Sequence, residues 1–216
     1  MSKDIFVFIE QRDGQLHDVV YELLGEAASL KQDLGQQVVA VLLGHYITSH
    51  AKALMAFGAD KVIIVDDPLL EHYMTEPYTK AMAAVIQNKE PEIVLFGATS
   101  IGRDLAPRVS ARVKTGLTAD CTALAIDPDT RLLMMTRPAF GGNLMAVIKC
   151  ETHRPQMATV RPGVMQPAER DTSRNGKTEF FQVALDESDK AVEILEIIEK
   201  KRTATNITQA RCLVSG

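Results

Sequence analysis

The residues best suited to chemistry gather in one stretch, FGATSIGRDLAPRVSARVKTGLTADC, at 96–121. Its first part places Gly97, Thr99, Ser100, Gly102 and Arg103 close together. Small residues let a turning backbone approach a ligand. Hydroxyls and free N–H groups donate hydrogen bonds, and a guanidinium adds charge, so the set could hold an anion such as a phosphate. The signal is loose, because the turn matches neither GxGxxG nor GxxxxGK[ST]. Tight packing of the turn without a ligand would select the same glycines. Elsewhere the chemistry is thinner. The histidines at 17, 45, 50, 72 and 153 lack metal-ligand spacing, and no Ser/His/Asp or Cys/His set is visible. Asp66-Asp67 before Pro68 reads as a solvated turn, and Met134-Met135 as packing. Gly141, Gly142 and Asn143 suit a hairpin turn needing positive φ, and nearby Arg137 could face an interface.

The 97–102 turn needs a strand before it and a helix after it. The strand is 92–96 and the helix roughly 104–114. Leu105, Val109 and Val113 recur every fourth residue and form an apolar stripe. Arg108 and Arg112 fall on another face. Asp104 and Arg108 make an i,i+4 pair worth about 0.3–0.5 kcal/mol. Pro107 is tolerated best in a first helical turn, which puts the regular helix start near Asp104, and Gly116 would cap its end. Upstream, strands are predicted at 5–9, 37–43 and 61–65. Helices are predicted at 18–34, 51–57 and 76–88, with Gly35, Gly58 and Pro91 marking exits. The run VVAVLL is apolar on both faces, as a central parallel strand must be. Four strand–helix alternations predict an α/β fold with a doubly wound, mostly parallel sheet. After residue 118 the pattern shifts to short strands at 121–126, 132–137, 143–150 and 156–160. Turn-like connectors join them, so strands and hairpins are expected at the sheet edge. Residues 166–177 read as an exposed loop or linker and 178–184 as a strand. Residues 191–200 fit a helix or an alternating strand, and 211–214 a strand opening a turn at Ser215-Gly216.

The 216 residues are 46% hydrophobic and 24% charged, with no Trp, so the core relies on aliphatic side chains. A net charge of −4 argues against nucleic acid as a partner. No apolar run reaches the roughly 18 residues that would predict membrane insertion. The opening MSKDIFVFIE enters a strand rather than a signal-peptide core. Cys121, Cys150 and Cys212 are far apart, which fits a reduced, cytoplasmic setting with no metal cluster.

The stretch 96–121, followed by TRPAFGGN, MATVRPG and the closing ARCLVSG, resembles the alpha subunit of electron-transfer flavoproteins over essentially the whole chain. The resemblance implies a fold like the adenine-nucleotide-binding (alpha-hydrolase-like) folds. Residues 1–203 would form the N-terminal α/β domain, and 204–216 a linker and the first strand of an FAD domain. It implies a heterodimer with a beta subunit, serving as an electron carrier rather than an enzyme. Its redox chemistry would belong to FAD. Electrons would pass from acyl-CoA or other dehydrogenases, as in fatty acid beta-oxidation, to an acceptor. The setting would be the bacterial cytoplasm, or the mitochondrial matrix in a eukaryote. This chain would be the scaffold and dimerisation part and would not hold FAD alone; Ser215 and Gly216 match only the edge of the FAD motif. Gly97, Thr99, Ser100, Gly102 and Arg103 match the position of the beta subunit's nucleotide-binding turn. Arg103, Arg108, Arg112 and Arg137 are the expected interface residues. Two other readings stay open: an adenine-nucleotide-binding module of universal-stress type, and an ATP-pyrophosphatase-like ligase. The ligase reading is weakened because no SGGxDS-like turn follows the first strand.

Overall fold

The apolar run IFVFI becomes β1 (Ile5–Ile9), buried at every position, because helices cover both faces of a central parallel strand. A computed structural model describes residues 4–139, 144–198, 210 and 212–216. A small hairpin follows β1, made of β2 (Gln11–Arg12) and β3 (Gln15–Leu16). Helices and strands then alternate: α1 (Val19–Leu34), β4 (Val38–Gly44), α2 (Ala51–Ala56), β5 (Lys61–Asp66), α3 (Thr75–Lys89), β6 (Ile93–Gly97) and α4 (Ser100–Arg112). The second half adds β7 (Leu117–Cys121), β8 (Ala123–Ile126), β9 (Leu133–Pro138), β10 (Met145–Ile148), β11 (Gln156–Val160) and β12 (Lys177–Phe180).

Seven strands form one sheet in the order β12-β5-β4-β1-β6-β11-β7, and every neighbouring pair is parallel. The expected doubly wound architecture is therefore present. Successive side chains of β1 point to opposite faces. Ile5, Val7 and Ile9 pack beneath α1 and α2. Phe6 and Phe8 pack beneath α3 and α4, with Phe96 5.4 Å from Phe8 between ring centres. Helix α1 buries Val19, Val20, Leu23, Leu24, Ala27 and Leu30. Each larger side chain of that stripe contributes about 1.5–3 kcal/mol on leaving water. Gly35 ends α1 in the left-handed conformation at φ 68°.

The later strands do not all collect at one edge. Strand β11 inserts between β6 and β7, and β12 lies at the opposite edge beside β5. Strands β8–β10 form a separate antiparallel sheet. The polar segment read as a loop or linker is a strap that carries the chain across. The N–H groups of Gly163 and Met165 donate to Glu22, and that of Ala168 to the Tyr21 carbonyl. Asp171 N–H donates to Ala56, and Lys177 N–H to Asp60. Asp60 in turn takes Lys31 Nζ at 2.7 Å, Val38 N–H at 2.9 Å and Arg174 at 3.3 Å. Residues 191–198 are neither helix nor strand and expose Val192, Leu195 and Ile198; 199–200 lie outside the described residues. Residues 212–214 are irregular and exposed rather than a strand. Arg211 and the Gly141-Gly142-Asn143 turn lie outside the described residues.

Candidate functional site at the carboxyl ends of the strands

Strand order reverses between β1 and β6, and in open α/β sheets ligands bind outside the carboxyl ends of the strands at such a point. The turn leaving β6 lies there. Thr99 is extended and caps α4: its Oγ1 accepts the Gly102 N–H at 3.0 Å. That cap starts the helix at Ser100, earlier than Pro107 alone predicted. Pro107 instead lies inside the helix. The helix persists there because Ile101, Leu105, Ala106 and Val109 are buried along one side, which outweighs the missing N–H. Lys114 at φ 58°, not Gly116, takes the left-handed conformation just past its end. The Arg103 side chain folds back, Nε donating to the Thr99 carbonyl at 3.2 Å.

A residue that sequence reasoning passed over completes this site. Glu10 follows β1 directly and is only 5% exposed, and the Thr99 hydroxyl donates to its carboxylate at 2.5 Å. Burial raises the Glu10 pKa, while the Thr99 hydrogen bond and the nearby His17 and Arg12 pull it down. The available signal was a charged residue immediately after five wholly apolar ones. Gly97, Thr99, Gly102 and Arg103 therefore do come together, with Ser100 exposed at the helix start. Two of the groups counted for an anion, the Thr99 hydroxyl and the Gly102 N–H, are engaged within the chain. The Glu10 carboxylate takes the Thr99 hydroxyl at this turn. Ser215 and Gly216 are exposed and irregular.

Glu10 supports a pH prediction. A folded pKa above the unfolded one gives stability that is present below the unfolded value and lost as pH rises through the folded value. Glu10→Gln keeps an acceptor for Thr99 and removes the charge. It is expected to raise the melting temperature at pH 7, with the gain fading as pH falls below the ordinary glutamate range. A lower melting temperature at pH 7 than at pH 4, relative to the unaltered chain, would refute a strained Glu10.

The four arginines read as one interface separate into two groups. Arg108 and Arg112 reach Glu76 of α3 at 3.0 and 3.3 Å. Arg108 also meets Asp104 at 3.7 Å, the i,i+4 pair expected from spacing, and Asp104 accepts the hydroxyls of Tyr73 and Thr75. These two arginines thus tie α4 to α3. Arg103 and Arg137 belong to the second group, which backbone hydrogen bonds assemble. Ala98 N–H donates to Val160, Arg161 N–H to Cys121, and Thr122 N–H to Thr136. The carboxyl ends of β6, β11 and β7 thereby meet β9. There Arg161 forms two hydrogen bonds to Asp120, at 3.1 and 2.5 Å. Those bonds, with the charges of Arg161, Arg137 and Arg103, hold the Asp120 carboxyl below its usual range. Neither Asp120 nor Arg161 was singled out from sequence; their partnership depends on two strands distant in the chain. Burial pushes the adjacent Cys121 thiol up to about 11, so it is a packed thiol rather than a nucleophile.

Among the described residues no helix is long and apolar enough to cross a membrane. The family model described as electron transfer flavoprotein domain matches residues 5–186. The chain is 52% identical over 214 residues to the electron transfer flavoprotein subunit alpha of Thermoanaerobacterium thermosaccharolyticum, covering 99% of this chain and 64% of that protein. It is 46% identical over 216 residues to the subunit of the same name from Clostridium acetobutylicum, again covering 99% and 64%. It is also 41% identical over 238 residues to the acryloyl-CoA reductase electron transfer subunit beta of Anaerotignum propionicum. The chain thus spans just under two thirds of the length of these relatives.

Proposed function

Because the chain belongs to the electron transfer flavoprotein family, as the amino-terminal part of an alpha subunit, we propose that it is the scaffold on which a two-subunit electron carrier is assembled. The observation that carries this reading is a family match across the whole seven-stranded sheet, with relatives named as electron transfer subunits. In the intact protein the cofactor is FAD, which supplies the redox chemistry when bound. The chain's own residues do other work. Glu10 and Thr99 fix the turn at the switch point, the strap fixes the far edge, and the Arg108–Glu76 pairing fixes α4 on α3. The partners are a beta subunit and dehydrogenases that deliver electrons, in a cytoplasmic setting. Residues 1–203 are the scaffold, and 204–216 lead toward the flavin domain. The chain itself performs no catalytic step. The adenine-nucleotide reading is not favoured, since the Glu10 carboxylate faces the turn that would take the phosphate.

Purified chain incubated with FAD and then desalted is expected to retain no flavin absorption. A stoichiometric retained flavin band would overturn the assignment of the cofactor to the rest of the protein.

A further inference from the structure

We propose that the cleft at the amino end of the sheet, between the last turns of α3 and α4, is a binding site for a small organic cation, an amine carried on an apolar body. It lies at the opposite end of the strands from the Glu10–Thr99 turn, and it stands independently of the proposed scaffold role.

The cleft measures about 320 Å³, within the range of small-molecule pockets. Its walls are apolar: Ile86 of α3, Val113 at the end of α4, and Pro91 and Pro155, which lead into β6 and β11. Ile86, Pro91 and Pro155 are buried and Val113 is partly buried. Ile86 belongs to the core beneath α3 and α4, and Val113 packs against it, so these walls are held in place without a ligand. They favour an aromatic ring or a short aliphatic chain that leaves water.

Charge at the rim selects the other half of the ligand. The charged residues lining the cleft are Glu90, Glu92 and Arg154. Arg154 Nε donates to Glu92, and its Nη1 to the carbonyls of Cys150, Glu151 and His153 at 3.1, 3.4 and 2.9 Å. That guanidinium is engaged and offers little to an anion. Glu92 is engaged too, since it also accepts Gln156 Nε2 at 3.1 Å. The Glu90 carboxylate differs: among the described residues it has no hydrogen-bond or ion-pair partner. Both helices end here, and the partial negative charge of a helix carboxyl terminus adds to that of Glu90. Lys89 and Arg112, the basic residues of the two last turns, pair with Glu179 and Glu76, and Lys114 is not part of the lining. The backbone gives an independent sign. Gly35 ends α1 at φ 68°, whereas α3 ends on Glu90 at φ 49° in the same left-handed cap. Glycine would hold that cap without strain. Glutamate there costs stability and places a carboxylate at the mouth of the cleft.

The test titrates phenethylamine into the isotope-labelled chain and follows its amide signals by NMR, with phenethyl alcohol and hydrocinnamate as the neutral and anionic counterparts. The amine is expected to shift the signals of Gln87, Glu90 and Val113, with a dissociation constant of about 1 mM or tighter. The alcohol is expected to bind more weakly and the acid more weakly still. Glu90→Gln is expected to weaken the amine about three- to fivefold and to leave the alcohol unchanged, a split that a merely structural role for Glu90 would not produce. Glu90→Gly, which suits the left-handed backbone, is expected to lose the same factor without a lower melting temperature, so the lost binding is not lost folding. Equal affinity for all three probes, or an amine affinity that Glu90→Gln leaves unchanged, overturns the cation site. Tighter binding of the acid assigns the cleft to anions through Arg154 and overturns it too. Shifts at none of the three amides with any probe overturn the site outright.

Discussion

Gly102→Ala is expected to detach the start of α4 and cost more than about 4 kcal/mol, a fall in melting temperature of roughly 10 °C or more for a chain of this size. A methyl group there would lie 1.8 Å from the Gly97 carbonyl oxygen and 3.0 Å from its carbon. Both are backbone atoms at the end of a buried central strand, so no side chain can swing aside. Helix α4 would have to lift, and with it would go the Thr99 cap and the Thr99–Glu10 hydrogen bond. Alanine's higher helix propensity, about 1 kcal/mol better than glycine's, cannot offset that loss. Circular dichroism melts of the two chains decide the matter. Equal melting temperatures would mean the close approach of α4 to β6 is not required.

The second large effect lies on the other face. Gly25 is in the middle of α1, where propensity alone predicts that alanine stabilises. The strap argues the opposite. A methyl group at Gly25 would meet the Gln166 carbonyl at 2.4 Å, the Ala168 nitrogen at 2.8 Å and the Pro167 carbon at 3.1 Å. Ala168 donates to the Tyr21 carbonyl there, so lifting the strap also breaks a hydrogen bond. Gly25→Ala is expected to destabilise by about 1–3 kcal/mol, as overpacking does. Its signature is local: faster hydrogen exchange at Gly163, Met165 and Ala168 before any change in the central strands. A stabilised protein with unchanged exchange would show that the strap rests loosely on α1.

These two glycines mark the boundary of what the sequence disclosed. Periodicity in a helix and unbroken apolarity in a strand are local signals. They located β1, α1, β4, β5 and β11 within a residue or so, and the parallel sheet followed from their alternation. The Leu105–Val109 stripe and the Asp104–Arg108 pair were equally local. What escaped depends on contacts between distant segments. Gly25 reads as a flaw in a helix until residue 166 is known to lie above it. Pro107 reads as a helix start until the Thr99 cap is seen. Glu10 lies 89 residues from Thr99, and Asp120 lies 41 from Arg161. No periodicity links such partners. The arginines show the same limit: the resemblance groups four of them, and only the structure shows Arg108 and Arg112 beside Glu76 and Arg103 folded back on Thr99.

The strap also sets an order of events during synthesis. Strand β5 ends at Asp66 and β12 begins at Lys177, so one edge of the sheet emerges from the ribosome long before the strand that closes it. For that interval β5 presents unpaired N–H and C=O groups alongside Val62, Ile63, Ile64 and Val65, a template for pairing with another chain. Lys61 guards the end of this edge and later joins Glu179 of β12 as its ion-pair partner. The same lysine thus serves first as a gatekeeper against aggregation and then as a clasp, and the edge stays open for as long as residues 67–176 take to be made.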